Sequence, residues 1–211
     1  TTTPHYNIVD SEVAKQPLKR KLFGLFYESR YHGIRVIHIP QKKFKNVLMR
    51  LFCISYWHIL SFVLGLAQKN IGVIISPSPP LTIGLINILI AKLKGAKTVY
   101  NVQEIYPDFL VNQGGLKSKP IIALLKRLEK FVYNNSTAVT TIDEVFYNSI
   151  VGKFQDKSKL RIIPNFVDTE LYFPIPKSEL KLDPLVFPPD FDGLRIMYAG
   201  NIGYAQDWEP L

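Results

Sequence analysis

The sequence contains a single cysteine, Cys53, which lies in an apolar run. One thiol cannot form an intramolecular disulfide, so a reducing compartment fits the chain better than an oxidising one, and a disulfide-stapled fold is excluded. We interpret Cys53 as a core residue, because a catalytic thiol needs a polarising neighbour and His58 is the only imidazole close to it in sequence.

Several other signatures are missing. The four histidines are scattered without the spacing of metal ligands, so no metal site is predicted. The chain has no internal repeat, no GxSxG nucleophile elbow and no GK[ST] phosphate-binding loop. Residues 1–6 do not have the charged and apolar regions of a signal peptide, and without an initial methionine the chain is expected to be the middle of a longer protein.

Basic residues, in contrast, are abundant and unevenly placed. Residues 1–50 hold ten Lys or Arg against three acidic residues, and so carry +7 of the net charge of +9. This asymmetry indicates an anionic partner, which the sequence leaves open between nucleic acid, an acidic membrane face and a phosphorylated substrate. A solvated basic surface is the simpler alternative.

A long uncharged stretch with many aromatic residues follows at residues 51–67 and predicts a helix. A membrane span needs about 20 predominantly apolar residues, whereas Ser55, His58 and Ser61 interrupt this slightly shorter window, so spanning is not predicted. Two interpretations stay open, namely a helix that faces the core and a helix that lies in the lipid interface, beside the basic residues that precede it.

Strand and helix patterns alternate along most of the chain. The predicted strands cover residues 34–39, 71–76, 98–102, 138–141 and 160–163, and the predicted helices cover residues 81–93, 119–134 and 143–154. The continuous apolar run at 71–76 is typical of a parallel strand that is covered on both faces. The alternation predicts an α/β, Rossmann-like parallel sheet with right-handed crossovers and helices on both faces.

Composition also predicts the domain boundaries. An N-terminal Rossmann-like domain is expected over residues 1–172, followed by a proline-rich linker over residues 173–193. A new strand pattern begins at Leu194 and indicates the start of a second domain over residues 194–211.

Ligands of open α/β sheets bind beyond the carboxyl ends of the strands, so the loops there are the candidate site. The loop at residues 103–108 holds Glu104 and Asp108, and carboxylates at such a place orient a hydroxyl nucleophile or accept its proton. Helix capping is the alternative role of Asp108, while Glu104 directly follows a buried strand and has no cap to supply. The loop at residues 76–80 is predicted either to frame a polar ligand or to be a structural turn.

A second candidate site follows the last predicted strand. Gly200 and Gly203, with Asn201 between them, would let backbone N–H groups approach a diphosphate. Taken alone, this short glycine pair is a weak signal.

These loops, in this order, resemble those of the family 4 retaining glycosyltransferases of GT-B fold, especially the branch that makes bacterial cell-surface polysaccharides. The segments that carry the resemblance are residues 76–84, 101–108, 140–143, 163–168 and 198–203. The resemblance implies two Rossmann-like domains, of which the first binds the acceptor and the second binds the nucleotide-sugar. It also implies transfer in the cleft without a divalent metal or another cofactor.

The same resemblance implies roles for particular residues. Glu104 takes the place of the acidic residue near the reacting centre, with Asp108 in the same loop as a second catalytic candidate. Gly200, Asn201 and Gly203 match the loop that approaches the donor's phosphates. The first strand with its glycine-rich loop and nearly all of the donor domain are not in the sequence, so the chain is expected to be inactive alone.

Together these observations predict a glycosyltransferase that uses a nucleotide-sugar donor and a lipid-linked or glycan acceptor at the cytoplasmic face of the membrane. The alternatives are a non-catalytic, membrane-docking subunit that supplies an acceptor surface and a sugar-nucleotide epimerase of GT-B fold. Nucleic-acid binding ranks last, because the aromatic residues lie mainly in apolar runs rather than among the basic residues.

Overall fold

The computed structural model describes residues 17–42, 44–176, 179, 193 and 194. They form two sheets, one with three strands and one with four. The predicted linker lies mostly outside the described residues, and so does nearly all of the predicted second domain.

The first sheet is antiparallel and precedes the Rossmann-like part of the chain. Its strands are β1 (Lys19–Lys21), β2 (Phe26–Tyr31) and β3 (Ile34–His38), paired in that order, and a 3-10 turn at Leu22–Gly24 joins the first two. His32 and Gly33 connect β2 to β3 with positive φ angles of 45° and 80°, as a two-residue hairpin turn requires. The predicted strand at residues 34–39 is therefore present, but as one arm of a hairpin.

The second sheet is parallel, in the order β4-β5-β6-β7. Its strands are β4 (Val73–Pro77), β5 (Lys97–Val102), β6 (Ala138–Thr141) and β7 (Leu160–Ile162), and the helices between them are α2 (Leu81–Lys94), α3 (Asp108–Asn112), α4 (Lys119–Asn135) and α5 (Glu144–Ile150). Strand, helix and strand alternate as predicted, which confirms the α/β, Rossmann-like class.

The core lies between one face of this sheet and the helices. Tyr100, Val102, Val139 and Leu160 project from the strands into a cluster that also contains Val132 of α4. Val102, Val132 and Val139 are fully buried, and burying a side chain of this size contributes roughly 1.5–3 kcal/mol. This face therefore fixes the sheet and, with it, the loops at the sheet's carboxyl edge.

The opposite face of β4 is open. Val73 and Ile75 are 51% and 69% exposed, because the described helices that bury Tyr100 and its neighbours pack on the other side. Within the described residues, nothing covers this face of β4, so the expectation of a strand covered on both faces stays a prediction.

Helix α1 (Val47–Ala67) links the two sheets and begins earlier than the predicted residue 51. The Asn46 side chain accepts hydrogen bonds from the backbone N–H groups of Leu48 and Met49, at 2.8 and 3.4 Å, so it caps the helix. Among the described residues none of α1 is buried, and both predicted interpretations of the helix stay open. Judged by length and composition alone, α1 is also long and apolar enough to cross a membrane, a weak criterion.

Candidate active site

The loops that follow the parallel strands meet at one edge of the sheet. Pro77 at the end of β4 lies opposite Asn101, and Val102 at the end of β5 lies opposite Thr141. Because all four strands run in the same direction, the loops after them lie side by side at this carboxyl edge. The loops at residues 76–80 and 103–108, which sequence predicts as separate candidates, are therefore neighbours.

Ser78 joins these two loops. Its side chain is almost fully buried at 3% exposure, and its hydroxyl donates to the carbonyl oxygen of Glu104 at 2.9 Å. The hydroxyl oxygen of Ser78 also accepts hydrogen bonds from the backbone N–H groups of Gln103 and Glu104, at 3.2 and 3.3 Å. Of the two roles predicted for this loop, these contacts support the structural one.

Glu104 is half-buried, and its carboxylate is unpaired in the described structure. It makes no hydrogen bond and no ion pair with any residue that the structure describes, although its backbone is held on both sides by Ser78. Burial, and then the charge of Glu104, raise the pKa of the Tyr106 hydroxyl. Glu104 therefore combines a backbone held in place by Ser78 with a carboxylate that is free to contact a ligand.

Asp108 has a different environment at the first residue of α3. Its two oxygens accept from the ammonium groups of Lys126 and Lys153, at 3.1 and 3.2 Å. Burial alone would raise the pKa of Asp108, but the hydrogen bonds and charges of the two lysines outweigh it and hold that pKa below its ordinary value. These ion pairs hold α3 against α4 and against the segment after α5. The catalytic role of Asp108 stays a prediction.

Behind Asp108 lies a buried ion pair that the sequence did not indicate. Lys153 also donates to Glu129 of α4 at 2.7 Å, and the Glu129 side chain is only 1% exposed. Burial raises the pKa of Glu129 above its ordinary value, against the opposing effect of Lys153 and of the Tyr133 hydroxyl. The only local sign was an acidic residue on the apolar side of an amphipathic helix pattern.

Three side-chain amides form a second cluster at the carboxyl edge. Gln103 donates to the Oδ1 atoms of Asn101 and Asn165, at 2.7 and 3.2 Å, and accepts from the Nδ2 of Asn165 at 3.1 Å. This pairing fastens the segment after β7 to the loop that carries Glu104. Sequence analysis placed Gln103 and Asn165 in separate segments, 103–108 and 163–168, and did not predict their contact, because they are 62 positions apart.

The remaining predicted site residues cannot be placed. Gly200, Asn201 and Gly203 lie outside the described residues, so their role in donor binding stays a prediction. Among the residues that the structure describes, no three His, Cys, Asp or Glu side chains are grouped as a metal site requires. Cys53 is half-buried on α1, which is less enclosed than the predicted core position.

Fold and site together define an α/β protein whose candidate site residues lie in loops at the carboxyl ends of parallel strands. Comparison with protein families identifies the family: the one described as Glycosyltransferase Family 4 matches residues 15–171, about three quarters of the chain. The chain belongs to glycosyltransferase family 4.

One curated relative is a "Probable glycosyltransferase WbjE" from Pseudomonas aeruginosa. It is 28% identical over 141 residues, which cover 66% of this chain and 34% of the relative. The chain thus spans about a third of the length of the relative that it matches.

Proposed function

We propose that the protein to which this chain belongs transfers a sugar, with retention, from a nucleotide-sugar to a lipid-linked or polysaccharide acceptor. The family membership supports the reaction class. The observation that carries the proposal is the free carboxylate of Glu104, held at the carboxyl edge of the sheet by the buried Ser78. In this proposal the described domain supplies the acceptor side of the site.

The chemistry suits an acceptor hydroxyl. In sugar transfer the anomeric carbon loses its bond to the nucleotide diphosphate and gains a bond to the acceptor oxygen, whose proton must leave. A carboxylate within hydrogen-bond reach of that hydroxyl orients it or takes its proton. We assign this role to Glu104, and to Asp108 the positioning of the loop, because its oxygens are paired with Lys126 and Lys153.

The diphosphate needs separate stabilisation as negative charge develops on it. Gly200, Asn201 and Gly203 are proposed to supply backbone N–H groups there, without a metal ion or other cofactor. This assignment rests on the sequence resemblance.

The acceptor class is proposed from helix α1. Its apolar residues include Phe52 and Ile59, 66% and 65% exposed, and basic residues precede them in the sequence. A surface of this kind suits a lipid-linked acceptor better than a freely diffusing sugar, and an enzyme associated with the cytoplasmic face of the membrane.

The proposal is tested on the longest natural polypeptide that contains this chain. The purified protein is incubated with a panel of nucleotide-sugars and a membrane lipid extract, and mass spectrometry detects lipid-linked products that carry one additional sugar. We expect a product from at least one donor, and none when the lipid extract is left out.

Two other outcomes would overturn the proposal. An epimerised nucleotide-sugar formed without any acceptor would identify an epimerase. If the folded protein transfers no sugar from any donor, yet binds the acceptor lipids, a non-catalytic acceptor-binding subunit is the better account.

A further inference from the structure

We infer that Asn165 is a positioning residue for Glu104. It acts through Gln103, whose side chain it holds, so that the segment after β7 sets the orientation of the loop that carries the candidate carboxylate. The inference rests on the proposed function for its catalytic meaning, because it names a residue that would align Glu104 with the acceptor. Its physical part rests only on contacts at the carboxyl edge of the sheet.

The first observation is that the side-chain amide of Gln103 uses both of its N–H groups. Its Nε2 donates to the Oδ1 of Asn101 at 2.7 Å and to the Oδ1 of Asn165 at 3.2 Å, and its Oε1 accepts from the Nδ2 of Asn165 at 3.1 Å. A primary amide carries only two N–H groups. The side chain of Gln103 is therefore bonded on two sides, and the reciprocal pair with Asn165 fixes the orientation of both amides.

Asn101 is the end of this row of amides that belongs to the sheet. It lies inside β5, which pairs with β4 on one side and with β6 on the other. Its carbonyl oxygen accepts the backbone N–H of Ser78 at 2.7 Å. Through Asn101, the side chain of Gln103 is tied to a strand that has hydrogen-bonded neighbours on both sides.

Asn165 is the end that lies outside the sheet. It follows the last residue of β7 by three positions, after Ile163, whose backbone N–H donates to the carbonyl oxygen of Thr141 at 2.8 Å. Beyond it, in the part of the chain that the structure describes, no hydrogen bond or ion pair joins residues 166–176 to residues 17–165. The pair of Asn165 with Gln103 is thus the last polar contact of the segment that leads to the predicted linker.

The backbone of the same loop has a separate anchor in Ser78. The backbone N–H groups of Gln103 and Glu104 donate to the Ser78 hydroxyl, at 3.2 and 3.3 Å. Ser78 follows β4 and Asn165 follows β7, so the loop after β5 is held from both sides along the sheet. Because Glu104 directly follows Gln103, a change in the backbone angles of Gln103 moves the Glu104 carboxylate.

The two anchors predict different effects when they are removed. Ser78 is buried, so its loss leaves enclosed groups without a partner, whereas Asn165 is exposed and water can replace its hydrogen bonds. Replacing Asn165 should therefore leave the stability of the protein nearly unchanged and loosen only the loop. A misplacement of about 1 Å can cost an enzyme about 100-fold in rate. We expect Asn165 to affect kcat more than stability or KM.

Hydrogen exchange read by mass spectrometry tests the physical part. It is measured without substrates on the longest natural polypeptide that contains this chain. In Asn165→Leu we expect the amides of residues 103–108 to exchange at least about threefold faster, because their local opening becomes easier. Asn165→Ser, which also removes the amide, should behave in the same way and guards against an effect of the leucine side chain.

Asn135→Leu is the matched control. Asn135 is likewise exposed, but it lies on α4 and its side chain donates to the carbonyl oxygen of Phe131 in its own helix. This variant is expected to leave exchange at residues 103–108 and kcat unchanged. Urea unfolding confirms that all variants are folded.

Kinetics test the catalytic part, with the donor that gives a product. Asn165→Leu is expected to lower kcat about tenfold and to leave KM for donor and acceptor within about twofold. Gln103→Leu should lower kcat at least as much. Adding Asn165→Leu to Gln103→Leu should cause no further loss, because Asn165 acts only through Gln103.

Direct contact between Asn165 and a ligand is the alternative role, since one N–H of its amide has no partner among the described residues. In that case Asn165→Leu would raise KM, and its effect on kcat/KM would multiply with that of Gln103→Leu. Either result would overturn the positioning role. Faster exchange at residues 103–108 with an unchanged kcat would overturn it as well, because the contact would then be structural only.

The two assays also separate this inference from the proposed function. If the unaltered protein transfers no sugar from any donor, the proposed function is contradicted, and hydrogen exchange alone decides whether Asn165 holds the loop. Unchanged exchange at residues 103–108 in Asn165→Leu overturns the inference whether or not sugar is transferred.

Discussion

The buried hydroxyl of Ser78 lies 2.9 Å from the carbonyl oxygen of Glu104 and donates a hydrogen bond to it. The contact joins the loop after β4 to the loop after β5, across 26 positions of sequence. It holds the backbone on both sides of the candidate carboxylate and leaves the carboxylate itself free. The position of Glu104 therefore depends on a residue that takes no part in the proposed chemistry.

Replacing Ser78 with alanine is expected to destabilise the protein by about 1–3 kcal/mol, because the partly buried carbonyl oxygen of Glu104 and two backbone N–H groups lose their shared partner. Urea unfolding followed by circular dichroism measures the change. Ser149→Ala is the control, since Ser149 is exposed on α5 and donates to the carbonyl of Val145 in its own helix. Equal effects of the two substitutions would show that the Ser78 contact is unimportant.

Lys153 is expected to be the most sensitive charged residue of the described structure. Lys153→Met leaves the Glu129 carboxylate buried without its cation, which typically costs about 3–5 kcal/mol. Adding Glu129→Gln to Lys153→Met removes the unpaired buried charge and is expected to restore much of the lost stability. The exposed Lys130→Met serves as control, and a double variant no more stable than Lys153→Met alone would contradict the ion-pair account.

Asp108 gives a prediction about pH. Its pKa is lowered in the folded protein, so its ion pairs stabilise the fold above the ordinary aspartate pKa and lose that effect as pH falls through the folded pKa. The difference in unfolding free energy between the unaltered protein and Asp108→Asn should therefore shrink between about pH 5 and about pH 2. It should not exceed about 1 kcal/mol, because more than a third of the side chain is exposed to solvent.

Unfolding in urea at a series of pH values measures this difference. The exposed Glu170→Gln, which removes a carboxylate without an ion pair in the described residues, is expected to change stability little across the same range. A difference for Asp108→Asn that grows as pH falls would have the wrong sign.

Replacing Gly84 with a larger residue is predicted to lower the stability of the protein for a steric reason. A Cβ at this position of α2 would lie 2.6 Å from Val132 of α4 and 2.9 Å from the ring of Tyr100. Gly84→Ala is therefore expected to destabilise the protein by about 1–3 kcal/mol. Urea unfolding measures this change. At Gly152 a Cβ would meet nothing within 4 Å, so Gly152→Ala should be nearly neutral in the same assay, and a reversed order would contradict the packing described here.

The parallel sheet could be predicted from sequence because each of its strands is a short apolar run between strong turn signals. The predicted strand at residues 138–141 coincides with β6, and the predicted helix at 119–134 is one residue shorter than α4. Of the antiparallel sheet, only β3 was predicted. β1 consists of the three basic residues Lys19–Lys21, and charged or polar residues occupy the middle of β2. Neither strand therefore has the alternation of apolar and polar residues that predicts a strand from sequence.

The candidate site, too, could be predicted only in part from the sequence. The place of Glu104, directly after a buried strand, follows from the general position of ligand sites in open α/β sheets. The partners of Asp108 could not be predicted, since Lys126 and Lys153 come from elements 18 and 45 positions away that only the folded chain brings together. Local sequence fixes where a strand ends, while long-range packing decides which carboxylate there stays free.

The central claim is that Glu104 acts on the acceptor in sugar transfer, and the most direct measurement compares kcat for the unaltered protein, Glu104→Gln and Asp108→Asn with the donor that gives a product. We predict that Glu104→Gln lowers kcat by about 100-fold or more while the protein stays folded, the usual size of a lost acid-base or orienting group. Asp108→Asn should lower kcat by a smaller factor, because its carboxylate is held in ion pairs away from the reaction. Unchanged turnover in Glu104→Gln would contradict the account.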